Sequence, residues 1–543
     1  MVIQEKNRDN RSSTLKPFTH KFETDNSKYI LDVNTGDIFR VDEVVWEIIE
    51  DSYQSETELI AKYTPHFTPD QISKAYQEIS DMRAESGFFL NDHPVVAMPY
   101  TREQIHHLLT SQRGQLCLQV TEKCNFACSY CERNIPIAGR VPVHGNQDMS
   151  WEIARAAIDD FLIHSGILES ENEDREHAQP SVSIPDELNM LKILLGGLVH
   201  VSFYGGEPLL NFSLIKKCCE YIREKTNGNK KVILGMTTNG YLLKGDIAEF
   251  VGAHKFSLMV SLDGPVSLHD QHRKTAQGAP THHVVMENLR SFLRKYPNQL
   301  SAISAVVAPG TDPREVHRYF ASATWLPPTV KVSISLAAPP VPGYWETPGV
   351  EEFPGNSAVF EDFKDRLIRG RVHLDIPGRE HELIRTKFNK MFDGVHRRRG
   401  RISVLRQISK PYNPSGACVM GAERIHVSAT GEYYPCEKVS KLKMYQIGST
   451  ATGMDEEKVY HLLQEFIECT RSECEQCWCV AFCTIGCHAT VYDLDGFSVD
   501  TKRRACEETR GSLGRCLEEY CSILEQNPRA FDYLNSPGVP VRA

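Results

Sequence analysis

Cys124-Asn125-Phe126-Ala127-Cys128-Ser129-Tyr130-Cys131 follows directly on a strand-like run, Leu116-Cys117-Leu118-Gln119-Val120. Three cysteines at C-x3-C-x2-C spacing can hold three irons of a cubane [4Fe–4S] cluster, and no fourth cysteine follows nearby. The fourth iron is then open to a ligand that is not protein. A cluster needs such an iron to act on a bound molecule rather than only carry electrons. The competing reading is structural zinc, which is almost always closed by four protein ligands.

The rest of the chain agrees with a metal-bearing enzyme. At 543 residues it has room for about three to four domains. Hydrophobic residues make up 41% and charged residues 24%, ordinary for a globular protein. A net charge of −10, from 61 basic and 71 acidic residues, argues against a general nucleic-acid binder. No run of 18 or more apolar residues predicts a membrane span, and the polar start Met1-Val-Ile-Gln-Glu-Lys lacks a signal-peptide core. The expected location is the cytoplasm. Seventeen cysteines in a reducing compartment point to ligation rather than to a disulfide framework. Cys117, Cys218, Cys219, Cys516 and Cys521 read as core or bystander thiols.

Outward from the first triplet, the chain divides by pattern. Residues 1–18 are polar and expected to be disordered. Residues 19–92 combine strand-like segments at Phe18–Phe22, Tyr29–Val33 and Ile38–Val41 with three helical stretches. The third helix is signalled by Thr68 as N-cap, Pro69 in its first turn and Gly87 as its stop. This is a winged-helix-like module. Its mixed, partly acidic third helix argues against DNA, and a strand edge beside a helix suits capture of an extended peptide. Residues 93–114 read as a linker with a helix.

Over 115–340, strand-like runs at Leu116–Val120, Val199–Tyr204, Val232–Thr237, Ser257–Leu262, Ile303–Val307 and Val330–Leu336 alternate with helical patterns. Six parallel strands predict an α/β fold with an incomplete TIM-like barrel, its chemistry in the loops after the strands. The acidic stretch 166–198 reads as an insertion, and 341–417 as a bridging region. The latter ends near the basic run His396-Arg-Arg-Arg-Gly-Arg401, either a solvated face or a contact for an acidic leader peptide. Residues 418–510 are dense in cysteine, and 511–543 read as a helical tail.

Two motifs follow predicted strands. In Tyr204-Gly205-Gly206-Glu207-Pro208 the glycines permit close backbone approach, and Glu207 offers an anion for an ammonium group. In Ser261-Leu-Asp263-Gly264-Pro265, with Arg273 beyond, the guanidinium could take a carboxylate in bidentate fashion. Together Glu207 and Arg273 would clamp the charged ends of an amino acid.

Combined with the cysteine triplet, these features resemble the radical S-adenosylmethionine (SAM) enzymes from about Gln115 to Leu336. The resemblance implies that Cys124, Cys128 and Cys131 hold the cluster, with SAM chelating the open iron through its amino and carboxylate groups. Gly205, Gly206 and Glu207 would meet the amino group, and Ser261 and Arg273 would lie near the carboxylate or ribose. Tyr130 would lie near adenine, with Asn239 of Thr238-Asn239-Gly240 completing the pocket. In that family SAM is reductively cleaved to methionine and a 5′-deoxyadenosyl radical, which abstracts hydrogen from substrate. A flavodoxin or ferredoxin is the implied reductant. No general base is singled out.

The later cysteines are similar to the SPASM extension, which carries two auxiliary [4Fe–4S] clusters. The resemblance implies a distal cluster on Cys474, Cys477, Cys483 and Cys506, and a nearer one on Cys418, Cys436 and Cys487. A fourth ligand of the nearer cluster is expected in some relatives where this chain has Arg424, which leaves an iron that a substrate thiolate could occupy. The additional Cys479 departs from the pattern and is read as either the missing ligand or a free thiol. A zinc-ribbon is the alternative for this region.

The segment Lys21-Phe22 through Val41-Asp42 resembles the peptide-recognition element of radical SAM maturases of ribosomally made peptides. Its wording is nearest the ranthipeptide group that forms thioether links. The implied partner is a precursor peptide. The alternatives are carbon–carbon crosslinking, epimerisation, formylglycine formation on a sulfatase, and a non-catalytic iron–sulfur or zinc scaffold that only binds peptides.

Overall fold

In the computed structural model the described residues are 15–111, 113–131, 144–168, 197–229, 231–308, 310–337, 356–370, 392–397, 418–483, 485–493 and 496–535. The expectations for residues 1–14, most of the 166–198 insertion, most of the bridging region and the end of the basic run lie outside them.

The N-terminal module is an antiparallel meander of β1 (Thr19–Glu23), β2 (Lys28–Asp32) and β3 (Ile38–Val41), followed by α1 (Glu43–Ile48), α2 (Glu56–Tyr63) and α3 (Pro69–Ser86). Local chemistry sets the helix ends. Asp42 caps α1, while Ser55 with Glu58 and Thr68 with Gln71 form capping boxes on α2 and α3. Gly87, at φ +67°, closes α3 in the left-handed conformation. Ile30, Ile48, Leu59, Ile72 and Ile79 form the module's own core.

α4 (Arg102–Ser111) is more than a linker: Ile105, Leu108 and Leu109 are buried in the main core. The sheet then runs β4 (Gln115–Thr121), β5 (Val199–Gly205), β6 (Val232–Thr238), β7 (Ser257–Ser261), β8 (Leu300–Val307) and β9 (Lys331–Leu336), every neighbouring pair parallel. Intervening helices include α5 (Trp151–His164), α6 (Phe212–Lys225), α7 (Gly245–Ala253), α8 (Val266–His272), α9 (His282–Lys295) and α10 (Pro313–Ala321). This is an α/β fold whose parallel sheet fits a partial barrel.

Strand period assigns the two faces. Leu116, Leu118, Val120, Val201, Phe203, Leu258, Val260, Ile303 and Ala305 enter the core that also holds Ile158, Phe161, Ile215 and Leu289 of the helices. The alternate residues Ser202, Tyr204, Thr237, Met259, Ser261 and Ser304 are half-buried on the opposite face. One face is hydrocarbon against helices; the other is largely polar and small.

The sheet continues beyond the six expected strands. β10 (Arg424–Val427) pairs parallel with β4, and β11 (Glu432–Tyr434), β12 (Gly448–Ser449) and β13 (Gly453–Met454) extend it antiparallel to ten strands among the described residues. The cysteine-dense region is thus built onto the barrel's first strand. Helix α11 (Asn356–Ile368) precedes β10, and α12 (Glu456–Glu468), α13 (Arg471–Glu475) and α14 (Val499–Gln526) follow β13, the last running unbroken across residue 510.

A second core ties the ends of the chain together. Phe18, Phe22, Tyr29, Leu31 and Val33 pack with Val480, Ala481 and Phe482 and with Leu517, Tyr520 and Ile523 of α14. The Tyr29 hydroxyl donates to Glu525 Oε1 at 2.8 Å, and Thr24 Oγ1 donates to the same oxygen at 2.8 Å. Tyr29→Phe deletes one of these bonds while sparing the packing. It is expected to cost about 1 kcal/mol, read as a lowered unfolding midpoint for the full chain.

Candidate functional site

The first cysteine loop leaves β4 and is held by backbone on two sides. On one side, Gly206 N–H donates to Thr121 O at 3.1 Å and Glu207 N–H to Lys123 O at 2.8 Å. A Cβ on Gly205 would meet Thr121 O at 2.3 Å, and one on Gly206 would meet Lys123 O at 2.2 Å. Both glycines are therefore required by contact with the cysteine loop itself, where the sequence reading expected close approach to a ligand. On the other side, Ala127 N–H donates to Lys274 O at 2.9 Å, Ser129 N–H to His272 O at 3.2 Å, and Ala276 N–H returns to Asn125 O at 3.1 Å.

Side chains complete the seating. Asn239 Nδ2 donates to Asn125 Oδ1 at 2.8 Å, fastening the end of β6 to the residue after Cys124. His144 Nε2 lies 3.5 Å from Cys131 Sγ, with its other ring nitrogen 3.2 Å from Glu122 O. Burial pushes the Cys124 thiol up to about 12 and that of Cys128 up to about 11, although Arg273 favours the Cys128 thiolate. Such thiols ionise readily only when a metal takes up the charge.

Glu207 is buried, and its carboxylate is engaged by the protein. Oε1 accepts from Thr238 Oγ1 at 2.6 Å and from Leu209 N–H at 3.1 Å, while Oε2 accepts from Asn239 N–H at 2.8 Å. A carboxylate has about four acceptor positions, so one remains. The group expected to meet an ammonium thus also joins the ends of β5 and β6.

Arg273 likewise has its own carboxylate. Its Nε donates to Asp263 Oδ2 at 2.9 Å, and the pair is almost wholly buried. The guanidinium expected near a ligand carboxylate thus already carries an internal counter-charge, as a buried charge requires. Tyr130 also donates to Asp263 Oδ2, its ring 5.5 Å from the Arg273 guanidinium carbon, and Val306 N–H donates to Oδ1 at 3.0 Å. Burial works against the Arg273 charge, but Asp263, Tyr130 and Cys128 together raise its pKa. Burial also holds the Tyr130 phenol well above its ordinary value. Ser261 ends β7 two residues before this aspartate. Asp263 is the residue that sequence reasoning quoted and gave no role; its place directly after a strand was the available signal.

The later cysteines fall into two groups. Cys418 lies in the electrostatic field of Cys436 and Cys487, with its N–H bonded to Gly486 O at 3.1 Å. Arg424, where a further ligand was considered, is an ion-pair partner of Glu437 at 3.0 Å and donates to Gln115 Oε1 at 2.9 Å. In the second group, Cys474, Cys477 and Cys483 neighbour one another, and Cys506 of α14 neighbours Cys474 and Cys483. Cys479 is buried with its sulfur 3.3 Å from Cys477 Sγ. The contact with Cys479 holds the Cys477 thiol below its ordinary value, and Arg510 adds to the effect.

Sequence reasoning also passed over Cys469 and Lys502. Lys502 Nζ is buried, donates to Phe466 O and sits 3.5 Å from Cys469 Sγ. Among the described residues no group of three or more His, Cys, Asp or Glu converges on a single ion position. A cubane makes a different demand, since each thiolate takes its own iron.

Residues 118–323 match the family model of the radical SAM superfamily. This segment is a radical SAM domain. The match begins inside β4 and takes in the cysteine triplet, Gly205–Glu207, Asp263 and Arg273. Among curated proteins, the chain is 29% identical over 126 residues to a cysteine-type anaerobic sulfatase-maturating enzyme of Clostridium perfringens, covering 23% of this chain and 34% of that enzyme. It is 21% identical over 296 residues to the radical SAM cyclopropyl synthase TigE of Paramaledivibacter caminithermalis, covering 53% of this chain and 55% of that one. It therefore spans less than two thirds of either relative. The solved structure of native anSMEcpe with bound AdoMet is 18% identical, covers 78% of this chain and 99% of its own, and superposes with a TM-score of 0.49.

The radical SAM domain fits a cluster at its first loop. Three thiols leave one strand, their loop is fastened to the ends of β5, β6 and β7, and Arg273 sets a positive charge beside Cys128. Gly206→Ala places a Cβ against backbone that cannot move independently. It is expected to destabilise by about 1–3 kcal/mol and to lower reconstituted iron by about four per chain, checked by unfolding and iron assay.

Glu207 gives the domain a pH dependence. Burial raises its carboxyl from 4.5 to about 7, against donors that pull it down. A raised carboxyl binds its proton more tightly in the folded chain, so its contribution is fullest below about 4.5 and falls as pH rises through about 7. Denaturant unfolding across that window is expected to show this slope, and Glu207→Gln to flatten it.

Proposed function

We propose that this chain is a radical SAM maturase of a ribosomally made precursor peptide and installs thioether links from cysteine sulfur to carbon. The reading is carried by one observation: the N-terminal module shares a core with the loop of the distal cysteines, and His20 of β1 stacks on Trp478 at 3.6 Å. β1 packs beside α14, whereas β3 has a strand partner on one side only among the described residues. Its outer edge offers the unpaired backbone on which an extended leader could add a strand. A polar cleft of about 360 Å³ at the end of this sheet, lined by Glu23, Asp25, Lys28, Arg40 and Glu43, could take charged leader side chains.

In this reading Cys124, Cys128 and Cys131 would hold the SAM-binding cluster. Cys418, Cys436 and Cys487 would hold the nearer auxiliary cluster, and Cys474, Cys477, Cys483 and Cys506 the distal one. When bound, the first cluster and SAM would supply hydrogen-atom abstraction from an unactivated C–H bond, chemistry that acid–base side chains cannot supply. The chain's own residues do the rest. Asp263 holds Arg273 and Tyr130 beside the triplet; Glu207 retains one acceptor position, and the Arg273 Nη nitrogens have no further bond among the described residues. These are the groups that would orient an amino acid's charged ends.

In net terms a C–H and an S–H bond break and one S–C bond forms. One hydrogen atom, one proton and one electron leave the peptide; when bound, SAM with its cluster would supply the hydrogen-atom acceptor and an auxiliary cluster the electron acceptor, with the proton released to solvent. A flavodoxin or ferredoxin would return the electron needed for each SAM cleavage.

Formylglycine formation on a sulfatase is the second reading, favoured by the likeness to the Clostridium perfringens enzyme. The N-terminal module distinguishes the two, since it would serve a leader that a sulfatase does not require. Reconstituted protein with dithionite and SAM is expected to release 5′-deoxyadenosine and to carry about twelve irons. A cysteine-rich peptide encoded beside the gene should become two hydrogens lighter per crosslink by mass spectrometry, with the new bond mapped to a cysteine sulfur. An unchanged mass in ordinary water would indicate epimerisation, and loss of two hydrogens without sulfur involvement carbon–carbon linkage. Release of no 5′-deoxyadenosine would leave only the binding scaffold.

A further inference from the structure

The distal group has more sulfur than a cluster can use. Cys469, Cys474, Cys477, Cys479, Cys483 and Cys506 are all close by, and a cubane takes four. The distance between Cys477 Sγ and Cys479 Sγ, 3.3 Å, decides how that pair is used. Two thiolates bound at about 2.3 Å to one tetrahedral ion lie about 3.8 Å apart, and thiolates on different irons lie farther still. A separation of 3.3 Å is a thiol donating to a sulfur, within the range of such a contact, and is too short for two ligands.

Of the two, Cys477 is placed as the acceptor. It forms the C-x2-C pair with Cys474, its N–H bonds to Cys474 O at 3.2 Å, and it also receives the Arg510 guanidinium from α14. Cys479 is 3% exposed, and its neighbours Val480, Ala481 and Phe482 are set into the core shared with β1 and β2. Trp478 between them lies flat on His20, ring planes 2° apart. Phe482 N–H on Cys479 O at 2.9 Å closes the turn. The principal electrostatic neighbours of Cys479 are Cys477, Cys483 and Arg510, which sets it apart from the nearer group.

We propose that Cys479 is a hydrogen-bond donor to the Cys477 sulfur and no cluster ligand, a positioning residue that, with Arg510, sets the reduction potential of the distal cluster. The inference rests on the reading that Cys474, Cys477, Cys483 and Cys506 hold that cluster. Donors on a ligating sulfur draw charge from the iron–sulfur unit and stabilise its reduced form, raising the potential. The His20–Trp478 stack gives the donor its position, so the recognition module fixes the geometry of an electron-carrying site.

The test is reconstituted full-length protein, wild type against Cys479→Ala, Cys479→Ser and Cys477→Ala, read by iron content and by redox titration followed by electron paramagnetic resonance. Cys479→Ala is expected to keep the wild-type iron content and to move one cluster to lower potential. Cys479→Ser, which retains an O–H donor, should recover part of that shift, and Cys477→Ala should lose one cluster. Loss of iron in both Cys479 variants makes Cys479 a ligand and overturns the proposal. Unchanged potentials with only a lowered unfolding midpoint make it a packing residue and overturn it equally. Wild-type protein that loads no cluster dependent on Cys474, Cys483 and Cys506 overturns the underlying reading first, a result visible before any Cys479 variant is compared.

Discussion

Everything at the first cysteine loop depends on a backbone contact too close for any side chain. Gly205 and Gly206 lie against Thr121 and Lys123 so tightly that a Cβ would come within 2.3 Å of carbonyl oxygen. That contact aligns two backbone hydrogen bonds and registers the loop on the end of β5. With the loop registered there, Asn239 reaches Asn125 from β6, and Tyr130 reaches Asp263 after β7. Three strand ends thus hold three cysteines, the first through main chain and the other two through side-chain hydrogen bonds.

Buried charge organises the rest of the site. Asp263 satisfies Arg273, Tyr130 and the Val306 amide together, leaving no unpaired charge in a dry environment. Glu122, also buried, is matched at 2.7 Å by Lys441, which comes from the cysteine-dense region. Together with the pairing of β10 to β4, that ion pair makes the first loop and the later cysteines parts of one framework. The N-terminal module joins the same framework through Phe22, Tyr29 and Trp478, so a peptide held at its sheet would be held relative to the cysteines as well.

Much of the fold was legible because it follows from period and punctuation. Alternating apolar residues placed β5 and β7, and the expected runs agree with the observed strands within one residue at each end. Thr68, Pro69 and Gly87 marked a helix that Thr68 and Gly87 cap and Pro69 begins. What stayed hidden involved partners far apart in the chain. The glycines of the Gly-Gly-Glu turn meet a loop about eighty residues earlier, and Arg273 is neutralised by an aspartate whose only signal was its place after a strand. β10 was missed because four residues, one of them arginine, make no recognisable strand until β4 lies beside them.

The sequence by itself determined which ligand types the chain offers, because residue type and spacing are covalent facts: three cysteines within eight residues, and seven of the eleven after residue 417 at defined intervals. It also determined the β/α alternation, which residue order imposes through burial. Only the tertiary structure decided what each group is free to do. Glu207 and Arg273 are largely committed to the protein, Arg424 to Glu437, and Cys479 to Cys477. Such commitments depend on distances between segments remote in sequence, and a buried polar group takes whichever partner the fold brings within reach.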